Sequence, residues 1–169
     1  MKKKTWIITG IVIIFIVAIF VLAGGKSSTP SNSKITGAYI DVLKENSVDI
    51  TIYKTPQCGC CGVYINYMQK KTTSKITVEA LPDLTSIKDR YNVPANMRSC
   101  HTSVINGYVV EGHIPAEAIN KLLTDKPNIY GIAMPGMPSG SPGMPGRKLG
   151  EFVVYSLNKD GTTSEFMRL

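Results

Sequence analysis

The chain has 169 residues, 19 of them Lys or Arg against 12 Asp or Glu, a formal net charge of +7 with 43% hydrophobic residues. Five of the lysines (2, 3, 4, 26 and 34) precede residue 35, where no acid occurs, so the remainder is close to balanced. With no basic stripe and no interleaved aromatics, nucleic-acid binding is excluded as the expected activity.

Lys2, Lys3 and Lys4 are followed by an uncharged run from Thr5 to Ala23. As a helix this run spans roughly 28 Å, close to the ~30 Å hydrocarbon thickness of a bilayer. Residues 1–23 are therefore expected to be an N-terminal membrane anchor, with a signal sequence cleaved after Ala23 as the competing reading. Either way the positive-inside rule puts the rest outside the cytoplasmic membrane: single-pass and tethered if uncleaved, secreted or periplasmic if cleaved. Residues 24–34, "GGKSSTPSNSK", form a polar linker, and residues 35–169 are long enough to enclose one core.

Within that domain "KITGAYIDVLKENS" is compatible with a strand or a short helix. "VDITIY", residues 48–53, alternates apolar and polar positions and predicts a half-buried strand. Cys58, Cys60 and Cys61 follow, and then Val63, Tyr64, Tyr67 and Met68 recur at helical spacing. The thiols thus sit on a strand-to-helix turn. "KITVEAL" predicts a second strand, "LTSIKDRYN" a short helix, and "TSVINGYVVEG" a hairpin turning at Asn106-Gly107. "PAEAINKLLTDK" reads as a helix with Pro115 near its first turn and Ala118, Ile119, Leu122 and Leu123 on one face. A Pro/Gly-rich loop, "MPGMPSGSPGMPG", leads to "EFVVYSLNKDGTTSEFMRL", a predicted C-terminal hairpin turning at residues 159–161. The order resembles the thioredoxin fold: an α/β domain with a mixed sheet, flanking helices and a C-terminal β-hairpin.

At a helix N-terminus a thiol meets unpaired backbone N–H groups, which favours thiolate, the form used both for disulfide exchange and for soft-metal binding. Cys58 and Cys61 form the C-x-x-C of a redox dithiol. In the thioredoxin-like order Cys100 and His101, in "MRSCHTSV", fall where such folds bring a cis-proline against the thiols, and His113 follows the second hairpin strand. Four cysteines and two histidines are thus expected to converge, more than a dithiol oxidoreductase needs. Structural zinc sites usually show a second C-x-x-C, absent here. Cu(I) is suited by crowded thiolates that bridge neighbouring ions, so more than one copper ion is conceivable. Met134, Met137 and Met144 add soft thioether donors that could receive Cu(I) or cover the site. A purely structural reading instead pairs Cys58 with Cys61 and Cys60 with Cys100 as disulfides, as is common in exported proteins.

The combination "TPQCGCCGVY", "VP" at 93–94, "SCHT" at 99–102, "GYVVEGHIPAEAINKLL" at 107–123 and "GIAMPGMPSGSPGMPG" at 131–146 resembles the CopG-type copper-resistance proteins, a bacterial domain of unknown function. The resemblance covers residues 48–157. It implies a thioredoxin-like domain outside the cytoplasmic membrane, cysteine-bound copper, a role in copper tolerance, and redox interconversion of Cu(I) and Cu(II). Carried over by position, Cys58, Cys60, Cys61 and Cys100 would be the sulfur ligands, completed by His113 and His101. The apparent membrane tether departs from the family and raises the question of a copper-handling or redox protein partner at the membrane. The alternative remains a thiol-disulfide oxidoreductase using Cys58 and Cys61.

Overall fold

The structure, a computed structural model, describes residues 41–169. The expected anchor, the linker and residues 35–40 lie outside the described residues. Among those described, no helix is long and apolar enough to cross a membrane.

A short helix α1 (Val42–Glu45) leads into β1 (Ile50–Lys54). Then come α2 (Gly59–Lys71), β2 (Ile76–Ala80), α3 (Thr85–Arg90), a 3-10 turn at Ala95–Met97, β3 (His101–Ile105) and β4 (Tyr108–Glu111). The chain finishes with α4 (Ala116–Asp125), β5 (Ile129–Ala133), β6 (Val153–Asn158) and β7 (Thr163–Arg168). The strands make one mixed seven-stranded sheet in the order β2-β1-β3-β4-β5-β6-β7. β1 with β2 and β4 with β5 are parallel, and the other neighbours are antiparallel. Parallel neighbours need a crossover connection, and α2 and α4 are those crossovers.

Both crossover helices bury their apolar stripes on one face of the sheet. There Ile50, Ile52, Ile105, Val110 and Ile132 meet Tyr64 and Met68 of α2 and Ile119 and Leu122 of α4. Burying each such side chain stabilises the fold by about 1.5–3 kcal/mol. Val109, Ala133 and Leu157 point the other way, into a smaller cluster with Val93 and Met97. Successive residues facing opposite sides, such as Val109 and Val110, follow from the period of two along a strand.

Of the segment compatible with strand or helix, the described part, residues 41–47, contains the helix α1, and its first residues lie outside the described ones. One position on α2 departs from the helical-spacing expectation: Val63 is 55% exposed, and the helix buries Cys61, Tyr64 and Met68 instead. The hairpin forms as expected, with Asn106 at φ 47° and Gly107 at φ 84°, the doubly left-handed pair of a type I′ turn. The C-terminal hairpin also forms, as β6 and β7, and extends the sheet. β5 carries no clear strand pattern in the sequence, because Gly131 breaks its short apolar run. That glycine is what lets β4 approach, since a Cβ there would lie 1.9 Å from the Val109 carbonyl oxygen.

Register brings three connections to one end of the sheet. Lys54, the last residue of β1, pairs with His101, the first of β3, and Thr102 pairs with Glu111, the last of β4. The turn after β1, the approach to β3 and the exit from β4 therefore share one rim.

Candidate metal centre

On that rim the turn into α2 is closed by Cys58 N–H donating to the Thr55 carbonyl at 3.1 Å, with Pro56 at the position where its fixed φ favours a turn. Cys58 is the N-cap of α2, and Cys60 and Cys61 occupy the first turn. Cys61 is fully buried, whereas Cys58, Cys60 and Cys100 are half-buried, so the centre opens on the side of Cys58 and Cys60.

Cys58 and Cys61 are joined as a disulfide, while Cys60 and Cys100 are free. Of the two pairs expected on a purely structural reading, only the first is bonded. Cys60 Sγ lies 3.6 Å from Cys58 Sγ and 3.9 Å from Cys100 Sγ, and Cys61 Sγ lies 3.6 Å from Cys100 Sγ. The four sulfurs lie within 4.8 Å of one another, as do the donor atoms of Cys100, His101 and His113. Cys100 belongs to both groups.

His113 Nδ1 donates to the Pro142 carbonyl at 2.6 Å, which leaves the Nε2 lone pair facing Cys100 Sγ at 3.1 Å. Fixing one ring nitrogen on a backbone carbonyl is a common way of orienting a metal-ligating imidazole. The Pro/Gly loop can supply that carbonyl because Gly143, at φ 82°, rests directly on α2, where a Cβ would sit 2.7 Å from Tyr64 N. His101 Nδ1 is 3.4 Å from Cys100 Sγ, and its buried Nε2 has no hydrogen-bond partner. Tyr64 packs against both imidazoles, its ring centroid 4.5 Å from that of His101 and 5.4 Å from that of His113, while the two imidazoles meet edge to face at 4.9 Å; its hydroxyl donates to Ile114 O at 3.0 Å.

Burial, then the neighbouring Cys60, pushes the Cys100 thiol up to about 12. Burial, with His113 and Lys88 adding to it, pushes His101 down to about 3. Burial also lowers His113, partly opposed by the Pro142 carbonyl. Both imidazoles are thus neutral at pH 7, the form that ligates metal. Below pH 6.5 the unfolded chain takes up a proton that folded His101 refuses, so stability present above 6.5 is lost as pH falls toward 3. The loss should be about 1.4 kcal/mol per pH unit for this residue. Urea unfolding of metal-free protein at pH 6.5, 5.5 and 4.5 should show it, with His101→Phe giving a slope shallower by that amount. Identical slopes would refute the buried-neutral assignment.

The structure thus brings together all four cysteines and both histidines named from the sequence. The methionines differ among themselves. Met134 is 1% exposed and sits in the main core, because it directly follows the buried strand β5. Met137 is 38% exposed on the Pro/Gly loop, and Met144 lines a cleft with Cys60, Val63, Gly143 and Pro145. Sequence reasoning missed two participants, the Pro142 carbonyl and Tyr64, whose ring packs against both histidines. A backbone oxygen leaves no mark on a residue pattern, and Tyr64 reads as an ordinary core aromatic.

The donor set fits a soft metal. With Cys58–Cys61 reduced, sulfur from four cysteines and nitrogen from two neutral imidazoles suit a soft metal such as copper, and His101 meets the cluster through Nδ1, 3.4 Å from Cys100 Sγ, while its buried Nε2 has no partner.

The family "Protein of unknown function, DUF411" matches residues 97–144, which hold Cys100, both histidines and all three methionines of the loop. No curated protein sequence matches the chain. Two solved structures, "Copper resistance protein copG" in forms 2 and 1, are each 37% identical with a TM-score of 0.67. Each alignment covers 73% of this chain, and 99% and 98% of the respective copG chains. Identity at that level over nearly the whole of the relative, with the cysteine turn and both histidines on one rim, makes this chain a member of the CopG copper-resistance protein family.

Proposed function

We propose that the protein binds copper as Cu(I), through the thiolates of reduced Cys58, Cys60, Cys61 and Cys100 and the imidazoles of His113 and His101, in copper tolerance or handling. The observation that carries this reading is the pair of donor groups sharing Cys100, drawn from three separate connections of the chain. Two groups with a common thiolate support more than one ion per chain, since thiolate sulfur can bridge neighbouring Cu(I) ions. A mixed sulfur and nitrogen donor set is also what exchange between Cu(I) and Cu(II) would draw on, with an electron partner outside the chain. Met144, beside Cys60 at the open side, is the methionine best placed to receive the ion.

The order β1-α2-β2 followed by a hairpin and α4, with thiols on the turn into α2, supports a thioredoxin-like reading of residues 35–169. The uncharged run from Thr5 to Ala23 after three lysines supports a tether, with the domain outside the cytoplasmic membrane. That placement would let the protein meet a copper-handling partner at the membrane surface.

The Cys58–Cys61 disulfide at the start of α2 favours a second reading, a thiol-disulfide oxidoreductase with Cys58 as the accessible sulfur. One experiment separates the two. Anaerobic, fully reduced protein is titrated with Cu(I) against a competing chelator, and bound metal is counted per chain. Tight uptake of more than one copper supports the copper reading. Uptake no better than that of a two-thiol control, with turnover of a disulfide substrate in the absence of metal, would replace it by the second.

A further inference from the structure

Cys100 and His101 are carried on the short approach to β3, and a carboxylate outside the donor set holds that approach at both ends. Glu111, the last residue of β4, is fully buried. Its Oε1 accepts the Ser99 backbone N–H at 2.6 Å and the Lys88 ammonium, and its Oε2 accepts the Thr102 hydroxyl at 2.7 Å. Lys88, 7% exposed on α3, also donates to Thr102 Oγ1 at 3.0 Å. Ser99 and Thr102 bracket the two donor residues.

We infer that Glu111, with Lys88, is a positioning residue that sets Cys100 and His101 for metal binding, an inference that rests on the copper reading above. Thr102–Glu111 is the last pair of the β3–β4 ladder, so Ser99 and Cys100 lie beyond the regular sheet bonds. The carboxylate replaces the missing ladder there. Ser99 is also seated from below by Gly112, at φ 85°, where a Cβ would come within 2.9 Å of the serine side chain. A buried ion pair is weak support for overall stability, because desolvation cancels much of the attraction. Three hydrogen bonds from the pair, one to Ser99 N–H and two to the Thr102 hydroxyl, instead fix the chain on either side of Cys100 and His101, and the Cys100 sulfur must meet ligands from α2 and from His113 at once.

Two double variants of the full-length protein separate positioning from charge and from folding. Lys88→Met with Glu111→Gln removes both charges but keeps an amide oxygen for Ser99 N–H and an amide N–H for Thr102 Oγ1. Lys88→Met with Glu111→Leu removes the charges and the clamp together, at similar volume, a change that buried pairs often tolerate. Cu(I) affinity, copper-edge X-ray absorption and the alkylation rate of Cys100 are measured for both.

The Gln pair should bind within about threefold of wild type. The Leu pair should lose about 10- to 100-fold in affinity, as is usual when the support of a ligand is removed, with fewer sulfur scatterers per copper and faster Cys100 alkylation. Wild-type binding by the Leu pair, or equal loss by both pairs, would overturn the inference. Failure of wild type to bind Cu(I) would instead defeat the copper reading on which it rests.

Discussion

Cys100→Ser should lower Cu(I) affinity by on the order of a thousandfold, about 4 kcal/mol, and reduce the number of ions bound. The size follows from its position. Its sulfur is 3.9 Å from that of Cys60, 3.6 Å from that of Cys61, 3.1 Å from His113 Nε2 and 3.4 Å from His101 Nδ1. It is thus the one donor common to the all-sulfur group and the sulfur-nitrogen group. Serine keeps the volume but offers a hard, neutral oxygen that remains protonated, so both groups lose their shared ligand while the surrounding packing is retained. A competition titration with elemental analysis reads the loss directly. Unchanged stoichiometry and affinity would show that the two groups do not act as one centre.

The second large effect concerns oxidation. With Cys58 and Cys61 bonded, two of the four sulfurs carry no thiolate charge, and only Cys60 and Cys100 remain as free thiols. Protein prepared in this form should bind Cu(I) more weakly by on the order of a hundredfold. It should show two alkylatable thiols under denaturing conditions and four after treatment with a phosphine reductant. Reduction must begin from solvent at Cys58, since Cys61 is fully buried. Full Cu(I) capacity in the oxidised form would mean that Cys58 and Cys61 belong to a redox pair independent of the metal, and would favour the oxidoreductase reading.

The two predictions draw on different layers of information. That Cys58, Cys60 and Cys61 stand on a strand-to-helix turn is legible in the residues, because alternation before them and helical spacing after them are local patterns. Asn106-Gly107 announces its hairpin for the same reason, since few residue pairs accept two successive left-handed conformations. Aligning that hairpin with the thiol turn was enough to place Cys100 near the other sulfurs. Membership of the CopG family was also legible, carried by several motifs in fixed order.

Other features became visible only through long-range pairing. The register of β1 with β3 and of β3 with β4 brings Cys100, His101 and His113 to one rim, and a shift of one residue would send each strand's side chains to the opposite face. The Pro142 bond to His113 depends on Gly143 resting on a helix about eighty residues earlier in the chain. The three methionines of the Pro/Gly segment look alike in sequence, yet Met134 is captured by the core while Met144 stands beside Cys60. β5 is hidden by the same glycine that its neighbour requires.

Glu111 and Lys88 mark the limit of sequence reading here, since an acid ending a strand and a lysine on a short helix are both expected at the surface. Local periodicity and turn chemistry determined most of the elements, though not β5 or α1, and the place of the thiols. The tertiary structure decided which donors face one another, which sulfur is buried and what holds Cys100, because those depend on pairing between segments far apart in the chain and on the burial of charge that such pairing permits.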